Sequence, residues 1–161
     1  MDTQIDLLYD PNSFVGPLDE YEIVSFEKWL RASEYKKISF DRSYIDHLSR
    51  FHGGVPRKRC FRTALGTEQA IDRFLSSDSN HPLKQYSVEG TWSLLSDRMG
   101  KHLMPFAELC FGDYLCFDHE QEGRPRVVMW FHERSRSERP PYTEFVAANF
   151  DEFLALLQDE P

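Results

Sequence analysis

Asp113 and His132 are the residues of this chain best suited to move a proton. An antiparallel hairpin between their two segments could set a carboxylate opposite an imidazole. Asp118, His119 and Glu120 repeat those residue types at the turn of the same hairpin. Acids and histidines at strand ends are usually solvated edge groups, so that reading is preferred to a small hydrolase built on Asp113 and His132. Six histidines raise the question of a metal, but none stands in an HxH, HExxH or Cys/His pattern. No catalytic residue, metal or cofactor is assigned. HGGVP at residues 52–56 has the letters of an esterase oxyanion loop, yet no GxSxG elbow accompanies it, so it reads as a helix stop and turn. Neither GxxxxGK[ST] nor GxGxxG occurs, which leaves phosphate cradling without support.

The elements that must position these residues are legible in part. Residues 103–107, 114–117 and 127–131 are short, dense apolar runs and read as buried strands. Gly123 and Pro125 supply the turn between the second and third. With Asp118 opposite Val127, one face carries Asp113, Leu115, Phe117, Val128, Trp130 and His132, and the other carries Tyr114, Cys116, Met129 and Phe131. A slip of one residue would exchange these faces across the pair. Apolar groups on both faces require cover on both.

Around this centre the spacing predicts a helix capped by Ser25, with Phe26, Trp29 and Leu30 inward, and a second capped by Asp41 or Ser43 and stopped by Gly53 and Gly54. Pro56 then forbids a return to helix. Residues 60–65 read as a strand, and Thr67 as the cap of a helix carrying Ile71, Phe74 and Leu75. A further helix spans residues 87–99 and closes at Gly100. Residues 143–147 form a last strand before a helix capped by Asn149 or Asp151. The expected fold is α+β: one domain with a central, mainly antiparallel sheet flanked by helices. Residues 1–21 are expected to be an irregular acidic lead-in, and residues 22–161 the single domain.

The net charge of -8 is concentrated at the ends. Seven acids and no base precede Lys28, and five acids follow Arg139 without a base. All 19 bases therefore lie between, against the remaining 15 acids. Acidic ends repel nucleic acid and steer basic partners. Arg57, Lys58, Arg59 and Arg62, like Arg134, Arg136 and Arg139, are accordingly read as intramolecular partners or solvated loops. Three cysteines in no CxxC pair indicate reduced thiols. No apolar run is long enough for a membrane span and no signal peptide is evident, so the expected compartment is the cytoplasm.

Three ordered blocks together resemble the SUKH superfamily, which joins yeast cell-wall regulators of the Smi and Knr type to bacterial toxin-immunity proteins. ISFDRSYIDHLSRFHGGVP, residues 38–56, resembles the helix that ends in a YNGG-type turn, with His52 in place of the usual Asn. Residues 104–133 are similar to an IPFA strand, a Gly-Asp step at Gly112 and Asp113, a YLCFD strand and a VVxWxHE strand. Residues 145–154 are similar to the closing FVADSFxEFL strand and helix. The resemblance implies helices on a mainly antiparallel sheet and protein binding without catalysis. It also implies a protein partner, such as a basic toxin domain, often a nuclease, with no direct nucleic-acid or membrane contact. A regulatory scaffold of the Smi/Knr type is the alternative. Asp113, Asp118, Glu120, Trp130, His132 and Glu133 are the candidate contact residues on this reading, and Gly53, Gly54, Pro56 and Gly112 the structural turns.

Overall fold

The computed structural model describes residues 7–35, 37–78, 86–135 and 140–159. Strands β1 (Cys60–Arg62), β2 (Glu68–Phe74), β3 (Leu103–Leu109), β4 (Tyr114–Asp118), β5 (Arg126–Trp130) and β6 (Thr143–Ala147) form one antiparallel sheet. Their order across the sheet is their order along the chain. Helices α1 (Glu20–Ala32), α2 (Arg42–Arg50), α3 (Val88–Met99) and α4 (Phe150–Leu156) complete an α+β fold.

The sheet curls until its two ends nearly meet. Ala64 in the β1–β2 turn donates its N–H to the Phe145 carbonyl of β6 at 2.8 Å. The Thr63 and Thr67 hydroxyls donate to Glu144 Oε1 at 2.7 and 2.8 Å, and Tyr142 donates to Oε2 at 3.0 Å. Burial raises the Glu144 pKa, but these three donors and nearby Arg134 outweigh it and leave the carboxyl below its ordinary value. Along β1, Cys60 and Gln158 exchange backbone hydrogen bonds at 3.0 and 2.9 Å. Backbone that would otherwise template another chain is thus engaged on both outer strands.

Local chemistry fixes the helices. The Asp19 carboxylate accepts from the Tyr21 N–H at 3.0 Å, so α1 begins there and not after Ser25. Its buried stripe is Ile23, Phe26 and Leu30, which leaves Trp29 57 % exposed and off the core face. Asp41, Ser87 and Asn149 cap α2, α3 and α4. Gly100 ends α3 at a φ of 81°.

The helix expected after Thr67 is instead strand β2. Thr63 and Thr67 close a tight turn from β1, and the register of β2 against β3 shifts between Ile71 and Arg73. That bulge puts Ile71 and Phe74 on one face, so a three-residue spacing that looks helical belongs to an irregular strand. In the central hairpin Asp118 pairs with Arg126, and Phe117 with Val127. The register expected from sequence is therefore off by one. Leu115 and Phe117 share a face with Met129 and Val127, while Tyr114 and Cys116 share the other with Val128 and Trp130.

Both faces are covered, as the apolar pattern requires. The larger core joins the sheet to all four helices around Phe106, which stacks on Phe117 at 4.3 Å between centroids and meets Phe150 and Phe153 edge-on. Phe106 and Ala107 both reach this core through a register shift after Pro105, which also accommodates a proline inside a paired strand. On the opposite face, Leu95 and Met99 of α3 cover Leu103, Cys116, Val128 and Trp130. Burial raises the Cys116 thiol pKa well above its usual value, so it behaves as a small apolar group.

Residues 7–19 contain only a short 3-10 turn, Pro11–Ser13, yet they are packed and not loose. Leu7 is fully buried, Tyr9 bridges Pro56, and the Val15 N–H donates to the His52 carbonyl at 2.9 Å. Their seat is the Gly53–Gly54 turn. Gly53 has a φ of 69°, and a Cβ on Gly54 would lie 2.7 Å from ring carbons of both Phe14 and Tyr9. Gly54→Ala is expected to cost about 1–3 kcal/mol by overpacking. A thermal melt checks this, and an unchanged melting temperature would mean that the segment yields freely.

Candidate functional site

The residues singled out from sequence fall at opposite ends of the β4–β5 hairpin, separated by roughly 15 Å of strand. At one end, Asp113 Oδ1 accepts from the His132 backbone N–H at 2.9 Å and lies 2.6 Å from its Nδ1. Asp113 and His132 do meet, but not as the expected cross-strand pair: the observed register runs Asp113 towards Phe131, and the contact is made by the carboxylate with the turn after β5. Gly112, at a φ of 87°, lets the His132 ring lie against the turn, where a Cβ would be 3.4 Å from Cε1. The remaining ring nitrogen, Nε2, is 3.9 Å from Glu133 Oε1, too far for a hydrogen bond. The carboxylate thereby fastens the β3–β4 turn to the chain leaving β5.

At the other end Asp118 is buried and fully engaged. Its Oδ2 accepts from Arg126 Nη2 at 2.7 Å, across the strand pair, and its Oδ1 accepts from the Glu120 N–H at 3.0 Å. Ligand atoms of His102, Asp118 and Glu120 lie within 4.8 Å of one another, which could suit a divalent cation. The Arg126 guanidinium already neutralises the Asp118 member of that group. His119 is buried beside it, with Nε2 unpartnered among the described residues, and desolvation pulls its pKa down to about 4 despite the opposing pull of Asp118.

A cleft of about 600 Å³ opens at this tip, lined by Lys37, Asp41, His119, Glu120 and Arg124 among others. Its cations serve the fold. Arg124 bridges Asp41 at 2.8 Å and Asp151 at 2.6 Å, tying the tip to α2 and α4, and Lys37 donates to the Glu120 carbonyl at 3.1 Å. The basic clusters behave similarly. Arg57 pairs with Asp159 at 3.5 Å, Arg62 pairs with Glu68, and Arg134 lies over the Tyr142 ring. Arg136 and Arg139 fall outside the described residues.

Of the predicted contact residues, Glu120 and Glu133 are exposed and His132 is partly so. Asp113 and Asp118 are buried by their partners, and Trp130 is wholly buried beneath α3. Trp130 can support a binding surface only from below. The exposed tryptophan is Trp29, which the sequence reading assigned to the core face of α1. The signal that distinguishes the two is the stripe Ile23, Phe26 and Leu30, which already completes a helix face without it.

The model of the SMI1 / KNR4 family (SUKH-1) matches residues 17–156. No curated protein and no solved structure matches the chain significantly.

Proposed function

We propose, from the premise that this chain belongs to the SMI1/KNR4 (SUKH-1) family, that it is a protein-binding module that neutralises a cognate toxin by covering a basic active-site surface. The observation that carries this reading is the placement of charge: the excess negative charge of a chain of net charge -8 lies at its two ends, where it favours encounter with a cationic protein. Nuclease clefts have that character because they must hold phosphate. The internal engagement of Asp113, Asp118 and Arg124 supports binding over catalysis, since the groups with chemical potential are committed to holding turns together. Glu120 and Glu133 remain as exposed contacts at the two ends of the hairpin.

Co-expression with a toxin encoded beside this protein's gene should restore growth. Failure to rescue growth from any neighbouring toxin, together with capture of housekeeping partners, would replace this reading with that of a regulatory scaffold.

A further inference from the structure

We propose that the cleft between α1 and α3 is the docking site for an arginine side chain of a basic protein partner. This deepens, and rests on, the reading of the chain as a binder of cationic proteins. Tyr21, Ser25 and Trp29 follow one another at four-residue spacing along one face of α1, and Glu89, Trp92 and Ser93 face them from α3. The cleft encloses about 490 Å³. Trp29 is 57 % exposed and Tyr21 76 % exposed, whereas Trp92 beneath them is buried.

Trp29 is held rather than loose. Phe26 stacks beside it at 6.5 Å between centroids, and Trp92 meets it edge-on at 5.7 Å. Such support lowers the ordering cost of using it as an anchor. An exposed, supported tryptophan between acidic groups is also the residue type that dominates protein interfaces.

The charge of the cleft selects the occupant. Glu22 and Glu89 are among its lining residues, and among the described residues no Lys or Arg lines it. No base precedes Lys28 in the chain, so the start of α1 lies in the most acidic stretch of the sequence. A planar guanidinium can stack on an indole face and donate in parallel to a carboxylate, which an ammonium cannot do in the same way. A phosphate backbone would meet these carboxylates with repulsion. A second copy related by a two-fold axis would bring the same acidic rim against itself.

The probe is a capped Gly-Arg-Gly-Arg-Gly peptide titrated into the full chain, read from the three tryptophan indole N–H signals by NMR. Saturable shifts at Trp29 and Trp92, with Trp130 unmoved, are expected. Trp29→Ala and Glu89→Gln should each weaken binding tenfold or more while keeping the melting temperature, and the Gly-Lys-Gly-Lys-Gly analogue should bind more weakly. A static Trp29 signal, undiminished binding by both variants, or a Trp29 shift that follows protein concentration without peptide would overturn the proposal. Growth rescue separates this proposal from the reading it rests on. Equal rescue by the wild type, Trp29→Ala and Glu89→Lys would remove the cleft and leave the toxin reading intact. A wild type that fails to rescue but binds the peptide at Trp29 would do the reverse.

Discussion

Acidification from pH 7 to pH 4 is expected to unfold this protein, chiefly through His47 and His119. Burial lowers both pKa values from 6.5 to about 4. In the unfolded chain each imidazole takes up a proton as the pH falls below about 6.5, while the folded protein refuses it until about pH 4. Unfolding therefore consumes protons in that window. The stability associated with neutral imidazoles is complete above pH 6.5 and is lost as the pH falls towards 4, by about 3 kcal/mol for each residue. Two such losses rival the roughly 5–15 kcal/mol that holds a domain of this kind together.

His52 acts in the same direction. Its pKa is lowered by burial, against the opposing effects of the Gly16 carbonyl, Asp78 and Glu22. Its Nε2 accepts the Ser77 N–H at 2.8 Å, which a protonated ring could no longer do. Below about pH 4.3 Glu144 adds to the loss, since its lowered pKa favours the fold only while the carboxyl is ionised. Urea unfolding followed by circular dichroism at pH 7.5, 6 and 5 measures the slope. Equal stability at all three would refute the prediction, and His119→Phe should flatten the slope if desolvation there is one of its sources.

Phe106→Ala should cost about 3–5 kcal/mol, the range for emptying a buried aromatic site. Phe106 is fully buried and lies among Tyr44, Phe74, Phe117, Phe150 and Phe153, so it joins strands β2, β3 and β4 to helices α2 and α4. Neighbours fixed on four different elements cannot all move inward to fill the gap. The comparison is Phe111→Ala, at a ring 77 % exposed, which should change stability by less than about 0.5 kcal/mol. Similar urea midpoints for the two variants would mean that the aromatic cluster is not the structural centre.

The sequence was most legible where one local rule acted without competition. Ser87 and Gly100 bracket α3 because a hydroxyl cap and a left-handed glycine each have a single good use at those positions. The strands of the central hairpin were equally plain from their apolar density, but their register was not, since it depends on which turn geometry residues 119–125 adopt. β2 was misread because a bulge mimics helical spacing, and nothing local in its residues announces a bulge. Asp113 and His132 come together, but through a turn contact and not through the register that sequence suggests. What their side chains do there depends on a backbone N–H that sequence cannot place. Trp29 was missed as a surface residue because a tryptophan near a helical stripe is ordinarily assigned to the core.

The agreement between strand order and chain order has a kinetic consequence. Every ladder joins strands adjacent in the chain, so most of the sheet can zip together through short loops, and low sequence separation between pairing partners speeds folding. The hydrogen bonds that close the curl, by contrast, span great lengths of chain: Ala64 to Phe145, Glu144 to Thr63 and Thr67, and Cys60 to Gln158. These can form only after the meander exists to carry them. Closure of the curled sheet is thus expected to come late in folding, at a step where an incompletely folded chain would still expose pairing-competent edges to its neighbours.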